Sequence, residues 1–189
     1  KDFSRAFVQL KKIVGIQPDF ISPHYDLARL YLLMGETDNS IEEYKRLADL
    51  DPENASVHLS IGNIYSRQGK IDEALIEYKQ VVALAPDSPV GYNELAYHYA
   101  ESGTNLDEGL EHALKAAELA PKDAAILDTL GWVYFKKGNF NKAVESLETA
   151  IASRQNSPTI LFHLGMAHYK NCNINSALNE FKNSLKIST

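Results

Sequence analysis

The chain has 189 residues, of which 44% are hydrophobic, 10% aromatic and 23% charged, a composition that excludes disorder and supplies ample material for a core. Its net charge of -6, with 4 basic against 11 acidic side chains in residues 53–121, opposes a phosphate-tracking surface, so nucleic acid is not an expected partner. No apolar run reaches the ~18 residues of a membrane span, and the single cysteine, Cys172, can form no internal disulfide.

Residues 1–20 read as one helix, 2–14, with Ala6, Leu10 and Ile13 at helical spacing and Pro18 as its stop. The chain opens at Lys1 without a basic-then-apolar leader and reads as a piece of a longer protein. Residues 21–54 predict two helices, 23–34 and 37–50: His24, Leu27, Ala28 and Tyr31 form one stripe, Gly35 breaks it, and Ser40, Tyr44 and Leu47 lead to Pro52. Residues 55–88 repeat this order most clearly, in helices 55–68 and 71–84. They carry His58, Ile61, Gly62 and Tyr65, then Gly69, then Ala74, Tyr78, Val81 and Pro86.

Helices 89–102 and 106–119 follow, with Tyr92, Leu95, Ala96 and Tyr99 and then, one residue late, Gly109, Ala113, Ala116 and Pro121. The extra residue falls in Gly103-Thr104-Asn105-Leu106, a turn, where an insertion is best tolerated. Helices 124–137 and 140–153 hold Leu127, Leu130, Gly131, Tyr134, Ala143, Leu147 and Ala150, with Gln155 in the proline slot. Helices 158–171 and 174–187 hold Leu161, Leu164, Gly165, His168, Ala177, Phe181 and Ser184, with Thr189 in that slot. No strand is predicted.

The period is 34 residues, half a unit followed by five whole ones. Gly62, Gly131 and Gly165 predict a close approach of the two helices in a unit, met from the other side by Ala74, Ala143 and Ala177, with Tyr65, Tyr99 and Tyr134 beside the contact. Gly35, Gly69, Gly103 and Gly138 supply the positive φ that ends a first helix. Cys172 occupies that slot in the last unit, where the flanking Asn171 or Asn173 is expected to take the left-handed conformation instead. Ser88-Pro89 and Ser157-Pro158 each set a capping hydroxyl before a first-turn proline.

An LGxxY motif, a small residue and an aromatic in the second helix, and a closing proline recur in five units in register and resemble the tetratricopeptide repeat family; the local departures are Ala28 and Ala96 for glycine, Ser40 and Gly109 for alanine, His168 for tyrosine, and Gln155 and Thr189 for proline. The resemblance covers the whole chain and is clearest from Leu130 to Gly138. It implies an all-α fold: a right-handed α-solenoid of antiparallel helix pairs forming a superhelix, with first helices lining the concave side. It also implies one domain over 1–189, built of a half repeat 1–20 and repeats 21–54, 55–88, 89–123, 124–157 and 158–189.

The function implied is a non-enzymatic protein–protein interaction scaffold that holds a partner peptide or helix in its concave groove. In the family, ligand-facing slots of the first helix fall here on Tyr25 and Arg29; Leu59, Asn63 and Arg67; Asn93, Tyr97, Ala100 and Glu101; Asp128, Trp132, Phe135 and Lys136; and Phe162, Met166, Tyr169 and Lys170. The large apolar residues among them are not required by the helix-pair core. Trp132, Phe135, Phe162, Met166 and Tyr169 with Tyr97 predict a hot spot at one end. Lys136 and Lys170 beside it predict a partner with apolar anchors and acidic flanks, and Arg29 and Arg67 offer a second acid-binding end. The lysine, asparagine and arginine set with which some family members clamp a C-terminal carboxylate is absent, since Tyr25, Arg29, Val90 and Glu94 stand there.

Segments Asn93–Tyr97 and Asp128–Trp132 are similar to tetratricopeptide proteins of the bacterial envelope that serve polysaccharide export and protein sorting. This implies the alternative, an assembly or oligomerisation element of a larger envelope protein, on its cytoplasmic or periplasmic side, that self-associates through uncapped end helices. Catalysis is not expected: HExxH, GxSxG, a phosphate loop and CxxC are all missing, so no cofactor or metal is assigned. His24 and His58 are placed in a core slot between first helices, His168 in the tyrosine slot, and His98, His112 and His163 without a carboxylate at a recurring spacing.

Overall fold

Eleven α-helices and no strand occupy the described residues, 2–188, of the computed structural model; the Thr189 assigned to the last proline slot lies outside them. They are α1 (Asp2–Ile16), α2 (Ile21–Leu33), α3 (Thr37–Leu50), α4 (Ala55–Arg67), α5 (Ile71–Leu84), α6 (Pro89–Ser102), α7 (Leu106–Leu119), α8 (Ala124–Lys136), α9 (Phe140–Ser153), α10 (Pro158–Lys170) and α11 (Ile174–Ser188). Every boundary lies within two residues of the expected one. At α2 the helix begins at Ile21, ahead of Pro23, because the first-turn N–H that proline lacks has no partner within the helix anyway. Among the described residues no helix is long and apolar enough to cross a membrane.

The fold is an all-α solenoid of antiparallel helix pairs, and its contacts gather into two units, Lys1–Pro86 and Asp87–Thr189. In the first unit each helix from α1 to α5 packs on the next around a core that includes Leu47, Val57 and Ile61. The second unit continues the order from α6 to α11 around Leu130, Val133, Leu147 and Leu164. Here α6 also packs on α8, and α8 on α10, whereas no comparable packing joins α7 to α9 or α9 to α11 among the described residues. First helices that touch, backed by second helices that splay, make the first-helix side of this unit its inner side.

The close approach within each pair is real, but its partners differ from the expected glycine against alanine. A Cβ placed on Gly131 would lie 2.5 Å from Leu147 Cγ, one on Gly165 2.6 Å from Phe181 Cε1, and one on Gly62 2.7 Å from Tyr78 Cε1. Each glycine therefore receives the large side chain one turn after Ala143, Ala177 or Ala74. Helical side chains lean toward their own N-terminus, so Tyr78 covers the surface of the preceding turn, where Ala74 leaves it room. The converse contact is also present: Gly109, in the alanine slot of α7, would place its Cβ 3.0 Å from Tyr99 Cβ on α6. Small meets large in both directions, and the two helices interlock.

The turns are set by chain reversal. Gly35, Gly69 and Gly138 take positive φ, and in each case the next residue's N–H reaches the carbonyl five residues back, as Asn139 does to Tyr134 at 2.9 Å. In the last unit Cys172 itself adopts φ 62°, with Asn173 N–H on the His168 carbonyl at 2.9 Å; Asn171 stays at negative φ. The expectation that an asparagine would take this conformation is corrected: the hydrogen-bond pattern fixes which position turns, whatever residue stands there. In the lengthened turn Asn105 follows Gly103 into the left-handed region, which absorbs the inserted residue. Of the two expected serine caps only Ser157 accepts from the helix, from Ile160 N–H at 3.5 Å, while Ser88 makes no such bond.

The interlock makes two glycines behave oppositely. Gly131→Ala should lower stability by about 1–3 kcal/mol, because the new methyl overlaps the branch point of Leu147. Gly15→Ala, where nothing lies within 4 Å, should be neutral or stabilise by up to about 1 kcal/mol through lost unfolded-state freedom. Thermal or urea melts of the two variants check this; equal effects would contradict it.

Candidate functional site

On the first unit the expected groove residues are engaged unequally. Tyr25 is half-buried, its hydroxyl accepting from Asn54 Nδ2 at 3.1 Å and its ring edge-on to Tyr44. Asn63 is exposed but accepts the Tyr78 hydroxyl at 2.9 Å, so a groove slot is tied to the second helix behind it. Leu59 is half-buried. Arg29 is exposed and lines a hollow of about 520 Å³ with Ala6, Leu10 and Leu33; Arg67 and Asn63 line a smaller one of about 170 Å³.

The second unit concentrates the aromatics. Trp132 on α8 is half-buried and held on three sides: its Nε1–H donates to Glu101 Oε1 on α6 at 2.6 Å, its ring stacks on His163 of α10 at 4.3 Å, and Phe135 stacks at 4.9 Å. Asp128, one turn earlier, meets His163 Nδ1 at 2.8 Å, and Lys136 Nζ lies 5.0 Å from the Trp132 ring centre. Together these groups clamp α6, α8 and α10 side by side. Phe135 continues toward Phe140, and Ala100, an expected groove slot, is fully buried because that row faces the neighbouring first helix.

Outside the clamp three aromatics remain open. Tyr97 is 41% exposed, Phe162 48% and Tyr169 55%. Phe162 is braced by Phe181 at 5.8 Å, Met166 is half-buried, and Lys170 is exposed at the end of α10. Around Tyr97 the field is negative: desolvation first, then Glu101, Glu94 and Asp128, raise its phenol above the usual range. Burial likewise lifts the Glu94 carboxyl, against a hydrogen bond from Asn93, and lowers the neighbouring His98. Asn93 Oδ1 is shut off from solvent with no hydrogen-bond partner.

The sequence reading missed the histidine–carboxylate ties. His24 Nδ1 meets Glu43 at 2.6 Å, with Nε2 on the Pro18 carbonyl at 2.8 Å, and His58 Nδ1 meets Glu77 at 2.7 Å. Both bridge first helix to second, α2 to α3 and α4 to α5, rather than first helix to first. The signal was present: each pair is separated by 19 residues, and the pairs recur one repeat apart. In the next unit the same two slots hold Tyr92 and His112, whose rings lie 5.8 Å apart.

A family model described as TPR repeat matches residues 28–69, 62–103 and 131–171. The TPR repeat-containing protein PA4667 of Pseudomonas aeruginosa is 37% identical over 73 residues, 39% of this chain but only 12% of that protein. Among solved structures, MamA protein superposes with a TM-score of 0.74 at 23% identity, covering 88% of this chain and 91% of that one. YrrB, described as a TPR protein with an unusual peptide-binding site, superposes with a TM-score of 0.72 at 16% identity, covering 94% and 91%. At these identities both structures bear on the fold alone.

The lifted Glu94 carboxyl yields a signed pH dependence. A carboxyl whose folded-state pKa is raised by desolvation opposes folding when ionised, so Glu94→Gln should raise the melting temperature at pH 7, by roughly 1–4 °C. The gain should fade as pH falls to the ordinary glutamate value of 4.5 and below, where wild-type Glu94 is itself neutral. Melts of both proteins from pH 7 to pH 3.5 check it; a gain independent of pH would contradict it.

Proposed function

The chain belongs to the tetratricopeptide repeat family, and from that premise we propose that it is a non-enzymatic scaffold whose α6–α8–α10 face holds a segment of a partner protein. The observation that carries this reading is the open trio Tyr97, Phe162 and Tyr169. They lie on helices whose core stripe is already satisfied, on the inner side of the unit, where large aromatics have no structural requirement. The clamp around Trp132 holds the three helices in fixed register, so the open rings form a pre-organised surface that costs little to order on binding. Exposed Lys170 and half-buried Lys136 favour acidic residues flanking the apolar anchors at the α10 side.

Phe162 and Tyr169 provide the cleaner test, since Trp132 is half-buried and joins three helices. A pull-down with wild type and the Phe162→Ala, Tyr169→Ala double variant should lose the partner, each truncation costing about 2 kcal/mol or more, and Lys170→Ala should weaken binding mainly at low salt. A folded double variant that retains every partner would move the site elsewhere, with the Arg29 and Arg67 hollows next in line.

A second reading, an assembly element, is favoured by apolar side chains left open on the outermost described helices, with Ile16 70% and Leu185 66% exposed. Its extension to a larger envelope protein for polysaccharide export or sorting rests on the two segments in α6 and α8 alone. Light scattering over a concentration series should show association that Ile16→Ser and Leu185→Ser reduce; a strict monomer throughout would set this reading aside.

A further inference from the structure

The α6 edge of the binding face offers acceptors and negative charge. Tyr97 presents an open aromatic face, with Glu94 and Glu101 on the same helix and Asp128 on α8 close enough to bias its phenol. Glu101, one turn after Tyr97 on the same helical face, is exposed and is held in place by the Trp132 N–H, which donates to its Oε1 at 2.6 Å. Lys136 lies over the Trp132 ring and, among the described residues, forms no ion pair with these carboxylates. A carboxyl desolvated by its surroundings is unfavourable when ionised, and an incoming cation beside it relieves that cost.

We propose that this edge takes an arginine side chain of the bound segment, its guanidinium laid on Tyr97 and its N–H groups directed to the Glu94 and Glu101 carboxylates. Arginine is the side chain that is all donor, planar and always charged, so it can stack on the ring while its edge serves several acceptors at once. Lysine carries the charge but neither the plane nor the fork. The assignment rests on the binding role of the α6–α8–α10 face and adds a polarity to it. The segment runs from a basic residue at α6, across apolar contacts with Phe162 and Tyr169, toward acidic residues near Lys170.

The probe is a phage-displayed random peptide library panned on the wild-type protein, followed by synthetic pairs of each enriched peptide with arginine or norleucine at the basic position. Enriched peptides should share an arginine at a fixed distance from an apolar residue, and norleucine should weaken binding to wild type by about tenfold. The same exchange should change binding to Tyr97→Leu by less than about twofold, while Tyr97→Phe keeps most of the wild-type preference. Glu94→Gln, which leaves the ring intact, should lower the preference part-way, and melting curves confirm that each variant is folded. Peptides that depend on Phe162 and Tyr169 but carry no arginine, or that accept lysine equally, would overturn this inference and leave the binding face standing. Peptides indifferent to Phe162→Ala and Tyr169→Ala, or no enrichment at all, would instead overturn the binding face itself.

Discussion

Each glycine-keyed helix pair depends on a reciprocal fit in which the absent side chain of one helix receives the bulk of the other, and this fit decides which residues are left to face outward. With Leu147 seated on Gly131, α8 can rotate about its axis only by driving a branched carbon into backbone, so its remaining faces are fixed. One of them carries Thr129 and Val133 into the core; another carries Asp128 and Trp132 toward the neighbouring first helices. The same argument holds for α10, where Phe181 fills the space over Gly165 and Phe162 and Tyr169 are turned out. Binding surface and core are thus two consequences of one packing constraint.

The inner side of the second unit then divides its labour. Trp132 spends both its ring and its N–H on neighbouring helices, joining Glu101, His163 and Phe135 into a buttress. Tyr97, Phe162 and Tyr169 are left with open faces on either flank of it. A rigid centre with open rings on both sides suits recognition of an extended segment, because neither the helices nor most of the side chains must be ordered when it arrives. The charge changes along the same direction, from Glu94, Glu101 and Asp128 to Lys136 and Lys170, which gives the surface a sense as well as a shape. On the first unit Asn63 is drawn back to Tyr78 and Tyr25 to Asn54, so fewer groove positions there are free.

Most of the fold was legible because it is written in local terms: apolar stripes at helical spacing, glycines where the chain must reverse, and a 34-residue period that places every helix. Contacts across a helix pair were less legible. Spacing shows that Gly131 and Ala143 share an interface, but the lean of helical side chains, which brings Leu147 rather than Ala143 onto the glycine, appears only once both helices are built. Cys172 was hard for a similar reason, since residue preference pointed to its asparagine neighbours while the closing hydrogen bonds required the turn at its own position. The candidate residues were named by register, yet register could not separate Trp132, committed to Glu101 and His163, from Tyr97 and Tyr169, committed to nothing comparable. The two histidine–glutamate ties are legible as a repeated 19-residue spacing, a signal carried by the pair and not by either histidine alone.

The binding face depends on the seating of Leu147 over Gly131, and a double-mutant cycle between the two positions tests that contact most directly. Leu147→Ala removes the atoms that a methyl at position 131 would strike, and Ala96 and Ala113 at the corresponding positions of α6 and α7 show that an alanine pair is compatible with the fold. Urea unfolding of Gly131→Ala, Leu147→Ala and the double variant should therefore give a combined loss smaller than the sum of the single losses, by about 1 kcal/mol or more. Losses that add to within about 0.5 kcal/mol would mean that the two residues do not meet, and the helix register on which the binding face depends would be wrong.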